Sequence, residues 1–289
     1  TKAPLIVAPA MNVNMWDHES TQQNVAVLHS RGVTVVEPDE GYLACGMTGA
    51  GRLASVESIA RAVFETLGLR EDLKGETLLV TAGRTEEPLD AVRYLSNRSS
   101  GKMGYALAEA GRRRGAKVIL VSGPTSLDAP AGVQVERVRT TQEMADAVLG
   151  HLPEASIVVM SAAVADFRPA EFRSKKIKRA EGVPALKLKP TRDILGEIAR
   201  KRRPDQLVIG FAAETDHVLE NAAKKLRSKR LDMIVANDVT QEGAGFDVDT
   251  NIVTMLFRDG RQKPLEKMTK LEVAGRVLDE VVMLRKAKE

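Results

Sequence analysis

Residues Leu78 to Gly104 read LLVTAGRTEEPLDAVRYLSNRSSGKMG, and four kinds of signal meet in them. Leu78, Leu79 and Val80 form a short apolar run suited to a buried strand, stopped at Thr81-Ala82-Gly83 where a tight turn becomes possible. A polar segment without helical or alternating period follows; it carries Arg93 and Asn97 and reads as a loop laid across something. Ser99, Ser100 and Gly101 then offer hydroxyl caps and a small residue at a helix start, with Met103, Leu107 and Ala110 along one face. A strand, a long polar loop and a capped helix suit an anion and carboxylate site. It is not a Walker loop, which needs Gly at Ser96 and Ser or Thr at Met103. Nor is it a dinucleotide fingerprint, because Gly83 is followed by Arg84, Thr85, Glu86 and Glu87.

Outward from this stretch, strands and helices alternate. Toward the carboxyl end the spacing predicts helix Lys102 to Arg114, strand Val118 to Val121, a short strand near Val133 to Val138, helix Gln142 to His151 and strand Ile157 to Met160. A helix from about Ile194 to Arg202, strand Gln206 to Phe211, helix Asp216 to Arg230, strands Met233 to Ala236 and Asn251 to Phe257, and helix Lys270 to Leu284 follow. This predicts an α/β fold with a Rossmann-like, mostly parallel sheet covered on both faces. Toward the amino end lie a strand at Ala3 to Pro9, helix Ser20 to Arg31, strand Val33 to Glu37 and helix Ser55 to Leu67; Gly68 to Glu76 reads as a linker. The first strand has no opening element before it, so the chain is expected to begin mid-domain. The expected domains are 1–69 and 70–289.

Small residues beside an acid or amide follow three strands: Ser161 to Asp166, Ala212 to Thr215, and Asn237-Asp238. Such ends let a flat ligand approach the backbone, and ligands of parallel sheets gather there. The 289 residues carry a net charge of +4, yet Arg168 to Arg230 hold 18 Lys/Arg against 8 Asp/Glu, so the remainder is at −6. Arg173, Lys175, Lys176, Lys178 and Arg179 read as a mobile loop, and Lys225 and Lys229 share one helix face. Together they suit a clamp for a polyphosphate. Aromatics are only 3%, which argues against nucleic-acid stacking, and no apolar run is long enough for a bilayer span. The single cysteine, Cys45, excludes an internal disulfide and fits a reducing, cytoplasmic setting. Its surroundings, ACGMTGAGR, read as a flexible flap with a partly exposed thiol beside a cation.

With TAGRTEEPLDAVRYLSNRSSGKMG, SAAVADFRP, KIKR, GFAAET and AND in order, the chain resembles the bifunctional bacterial phosphopantothenoylcysteine decarboxylase/synthetases of coenzyme A biosynthesis. Residues from about Lys74 resemble the complete synthetase domain. The first 68 or so, through PAMNVNMW and ACGMTGAGR, resemble the carboxyl-terminal part of the flavoprotein-type decarboxylase domain. The resemblance implies ligation of 4′-phosphopantothenate with L-cysteine through an acyl-cytidylate, consuming CTP with Mg2+ and releasing CMP and pyrophosphate. It places Met160, Ser161, Ala162, Asp166, Lys176, Lys189, Pro190, Thr191, Arg192, Phe211, Lys225 and Lys229 against the nucleotide, with Lys176 stabilising charge during activation. It places Arg93, Asn97 and Ala163 on the pantothenoyl part, Asn97 orienting the intermediate for attack by cysteine. In the decarboxylase portion, Asn12 matches a substrate-binding asparagine and Cys45 a proton-donating thiol. The FMN-binding half and its catalytic histidine would precede Thr1, and neither His18 nor His29 replaces that histidine, so the chain is expected to ligate without decarboxylating or holding FMN. Ser100 to Gly123 resembles a homodimer-forming segment, and higher assembly would run through the decarboxylase domain. Neither the metal ligands nor a cause for choosing CTP over ATP is legible. A nicotinamide-dependent reductase is the alternative on the same fold, weakened by the missing fingerprint; a nucleic-acid module is the other rival.

Overall fold

The chain divides into two units, Thr1–Glu71 and Asp72–Glu289. The computed structural model describes residues 3–42, 46–67, 70–178, 185–241, 243, 245 and 248–288. In the first unit β1 (Ile6–Val7), α1 (Val13–Trp16), α2 (Glu19–Ser30), β2 (Thr34–Val35), β3 (Asp39–Tyr42), β4 (Thr48–Arg52) and α3 (Val56–Thr66) follow in order. Strands β1 and β2 pair in parallel, β3 and β4 antiparallel. The flanks of the cysteine segment are therefore a hairpin; Cys45 itself lies outside the described residues. Asn12 and His18 are helix caps, accepting from Asn14 N and Ser20 N. Only Trp16 and Ala54 are buried apolar side chains here among the described residues, and Leu5, Met15, Val56 and Phe64 are exposed.

The second unit opens earlier than the polar composition of Gly68 to Glu76 suggests. Leu73 is buried and its N–H donates to Arg114 O, while Asp72 pairs with the Arg114 guanidinium, so the latter half of the expected linker belongs to the core. Then come β5 (Thr77–Ala82), β6 (Glu86–Pro88), β7 (Tyr94–Ser96), α4 (Lys102–Arg113), β8 (Lys117–Ser122), β9 (Gln134–Arg137), α5 (Thr141–His151) and β10 (Ile157–Met160). β11 (Phe167–Pro169), β12 (Leu188–Pro190), α6 (Ile194–Lys201), β13 (Leu207–Glu214), α7 (Val218–Ser228), β14 (Met233–Asp238), β15 (Thr250–Phe257), β16 (Gln262–Thr269) and α8 (Lys270–Lys286) complete it.

Eight strands form one sheet in the order β16-β15-β14-β13-β10-β5-β8-β9. β14 through β9 are parallel; β15 and β16 are added antiparallel. Alternate residues feed two cores, as the strand period requires. Leu78, Val80, Val118 and Val159 face α4 and α8; Leu79, Ile119, Val158 and Val208 face α5, α6 and α7. From β5 the chain moves out to β8, whereas from β10 it moves the opposite way to β13. The carboxyl ends of β5 and β10 are thus the topological switch point, where such sheets bind ligands.

Three sequence readings need correction. The polar loop after β5 contains the β6–β7 hairpin, with Glu86 opposite Ser96 and Pro88 opposite Tyr94. The edge strand β16 was not legible, because it is charged, carries Pro264 and buries only Leu265. No hydroxyl caps α4: its N-cap is Gly101 at φ +82, and Ser99 Oγ donates to Gly83 O instead. Segment Ser100 to Gly123 is mostly interior, with only Gly115 and Lys117 exposed. Much of it contributes to the hydrophobic core between α4, α8 and the sheet, while Lys102, Met103, Glu109, Arg112 and Arg113 are only half-buried.

Candidate functional site

A cleft of about 710 Å³ opens at the switch point. Its floor is the turn after β10, pinned from the β5 side. Thr81 Oγ1 accepts from Ser161 N and Ala162 N, both at 3.1 Å, and Ser161 Oγ donates to Thr81 O. Ala163 N donates to Gly83 O at 2.9 Å, and Ala165 N to Thr85 Oγ1 at 2.9 Å. These bonds tie the segments that follow β5 and β10 to each other and satisfy their backbone groups.

One wall is the start of α4, where Gly101 to Gly104 line the cleft. A helix without a side-chain cap presents unsatisfied N–H groups and the positive end of its dipole. Asn97 hangs over the floor, its Nδ2 donating to Ala163 O (3.3 Å) and Val164 O (3.1 Å). Those two acceptors fix the amide's orientation and leave Oδ1 as its accepting end.

The opposite wall carries cations in paired settings. Lys225 donates to Phe211 O at 3.1 Å, and burial pushes its amine below the ordinary lysine value against the pull of Glu214 and Asp166. Lys229 is salt-bridged to Asp193, which also caps α6 by accepting from Gly196 N. Burial raises the Asp193 carboxyl, but the Lys229 and Gly196 bonds outweigh it and hold the group low. Two lysines one helical turn apart therefore coexist because each has its own acceptor. Arg192 reaches the rim with its guanidinium on Glu197 and Asp146, which raise its pKa further.

Met160, Ser161, Ala162, Ala163, Asp166, Thr191, Arg192, Phe211, Lys225, Lys229 and Asn97 all line this one cleft. Four expected residues do not. Lys189 and Pro190 sit on β12, paired with Arg168 and Phe167 of β11. Arg93 is bound to Asp90, and Lys176 lies beside Ile177, whose N–H is held by that same aspartate. Segment Arg173 to Ile177 is hydrogen-bonded at both ends, Arg173 N to Leu89 O and Ile177 N to Asp90 Oδ2; Arg179 lies outside the described residues. Asn12 and Cys45 belong to the first unit.

Sequence reasoning missed Lys102, Asn251 and Lys270, which line the same cleft from elsewhere in the chain. Lys102 pairs with Asp249, and Lys270 Nζ donates to Gly245 O and Val248 O. Asn251 is only 4% exposed, yet its Oδ1 has no hydrogen-bond partner among the described residues. A buried acceptor at the wall of a cleft is costly unless a ligand or water meets it. No group of three or more metal-ligating side chains occurs among the described residues. No helix among them is long and apolar enough to cross a membrane.

Residues 73–284 match the family described as the DNA/pantothenate metabolism flavoprotein C-terminal domain, and residues 1–68 match the family described as Flavoprotein. The chain is 46% identical over 287 residues to the coenzyme A biosynthesis bifunctional protein CoaBC of Bacillus subtilis, covering 98% of this chain and 70% of that protein. The chain belongs to the CoaBC family. It is also 41% identical over 288 residues to a cysteine/cysteine sulfinic acid decarboxylase from an unknown prokaryotic organism, covering 98% of this chain and 80% of that one. Among solved structures, a C-terminal domain of a CoaBC protein superposes with a TM-score of 0.65 at 42% identity, covering 75% of this chain and 99% of that one. A Cab2 mutant solved with phosphopantothenate-cysteine shares the fold alone: TM-score 0.61 at 16% identity, covering 81% of this chain and 94% of that one.

Proposed function

We propose that the Asp72–Glu289 unit of this CoaBC family member joins 4′-phosphopantothenate to L-cysteine at the expense of CTP. The observation that carries this reading is the polarity of the cleft: an uncapped helix start and the Lys225–Lys229 wall face each other across it, with Asn97 beside the floor. A carboxylate is a poor nucleophile toward a phosphate ester and must be held in line. Its oxygen attacks the α-phosphorus of CTP, the bond to the β-phosphate bridging oxygen breaks, and pyrophosphate leaves. The cysteine nitrogen then attacks the acyl carbon, losing its proton as the bond to CMP breaks. The α4 N–H groups hold phosphate oxygens, Lys225 and Lys229 balance the triphosphate, and Asn97 Oδ1 accepts a hydrogen bond from the neutral cysteine amine, whose proton leaves with the departing CMP phosphate after attack. Lys176 lies outside the cleft lining of the single chain, and its part in stabilising charge during activation rests on the family resemblance.

Magnesium supplies charge neutralisation on the triphosphate. Asp193 is occupied by Lys229, which leaves Asp166 as the cleft carboxylate able to contribute, with phosphate and water completing the shell. Flavin is a different case. The Flavoprotein match over residues 1–68 and the CoaBC relatives support FMN in the decarboxylase part.

The test is pyrophosphate release that requires 4′-phosphopantothenate and CTP together, and falls about 100-fold in Lys176→Gln, the size of effect lost with one transition-state charge. Release that ignores phosphopantothenate overturns the assignment.

A homodimer is part of this proposal, and beside the Ser100 to Gly123 segment that the resemblance implies, a second surface is suited to it. The β6–β7 and β11–β12 hairpins lie together and leave Val92, Tyr94, Phe167, Phe172 and Leu188 exposed, an apolar group suited to a second copy. Sedimentation of Phe172→Glu should show monomer at concentrations where the parent chain is dimeric.

A further inference from the structure

Asp90 is an acid in a polar loop, 4% exposed, and no motif singles it out. Its Oδ1 accepts from Val92 N and Arg93 N, both at 2.8 Å, closing a turn over Leu89 to Arg93. Its Oδ2 accepts from Arg93 Nε at 3.0 Å, from Arg93 Nη2, and from Ile177 N at 3.1 Å, a residue 87 positions away. Arg93 Nη2 also donates to Ile177 O at 3.0 Å, so both backbone groups of Ile177 are held by one ion pair. Arg173 N donates to Leu89 O at 3.2 Å, fixing the other end of the segment. Lys175 and Lys176 are thereby strung between two anchors, with their own side chains exposed and Ile177 buried.

We propose that Asp90 is a positioning residue of the ligase reaction, fastening the Arg173–Ile177 segment to the turn that bears Arg93 so that Lys176 and Arg93 are placed as one body. The inference deepens the ligase reading and rests on Lys176 taking part in activation. An aspartate is required because one oxygen must receive three donors, two of them from a cation. An asparagine can preserve the Oδ1 turn but cannot balance the guanidinium.

Asp90→Asn should lower kcat for pyrophosphate release about 100-fold, the loss expected when a catalytic group is misplaced by about an ångström. Because it acts through Lys176, the Asp90→Asn/Lys176→Gln double variant should be no slower than Lys176→Gln alone. Multiplying losses, or wild-type kcat in Asp90→Asn beside a slow Lys176→Gln, overturn the positioning role while sparing the ligase reading. A wild-type rate in Lys176→Gln overturns the reading of Lys176, and the positioning role with it. Hydrogen exchange on the unaltered chain checks the anchor independently of any variant's folding: the Ile177 amide should be protected, and exchange at the rate of an unbonded amide overturns the proposal. In Asp90→Asn that protection should vanish while the Leu79 and Val80 amides of β5 keep theirs.

Discussion

Lys225 shows how a single side chain at the cleft is kept in tension. Its amine is pushed below the ordinary value of 10.5 by burial, and Glu214 and Asp166 recover only part of that shift. The unfolded chain therefore binds a proton more readily than the folded one between the depressed value and 10.5. The penalty is complete below the folded pKa and is lifted as pH rises through it, so folding stability climbs with pH across that window. Lys225→Met should flatten this climb in urea titrations run from neutrality toward pH 10.5. The same substitution should weaken CTP binding about tenfold, since one charge-assisted hydrogen bond to phosphate disappears. Stability and ligand affinity thus move in opposite directions near neutral pH.

At the scale of elements, α4 is pressed against β5 by the absence of a side chain. A Cβ at Gly104 would stand 2.5 Å from Ala82 Cβ and 2.8 Å from Thr81 O, backbone that the cleft floor depends on. Gly104→Ala should cost about 1–3 kcal/mol in urea unfolding and depress ligase activity as well, because the displaced Thr81 holds Ser161 and Ala162. Most of this layer was legible from pattern. Runs such as Leu78-Leu79-Val80 and Ile157 to Met160 declare buried strands, and Met103, Leu107 and Ala110 declare the inner face of α4. Strands of three residues such as Glu86 to Pro88 have no room for a period, and a charged edge strand such as β16 has one apolar anchor. The site was half legible for the same reason. The turn from Ser161 to Asp166 is contiguous, whereas Lys102, Asn251 and Lys270 meet only because the sheet brings distant segments together. The link from Asp90 to Ile177 was invisible because the two lie 87 positions apart.

For the whole molecule, the two units differ in how well they are filled. Asp72–Glu289 has a core on each face of its sheet, whereas Thr1–Glu71 buries just Trp16 and Ala54 as apolar side chains among the described residues. A fragment comprising residues 72–289 should therefore unfold in one cooperative transition and retain the ligase rate within about twofold, as a self-sufficient domain does. A rate lost on removing the first unit would show that the cleft draws on residues outside its own fold.

The antiparallel addition of β15 and β16 has a consequence for how this family can vary. Thr250 pairs with Thr269, so the hairpin begins and ends beside Asn251 and Lys270, while its bend at Arg258 to Arg261 lies at the opposite margin of the sheet. Chemistry is confined to one rim, and the remote bend is a place where insertions, tags or fused partners can accumulate without being felt by the substrates.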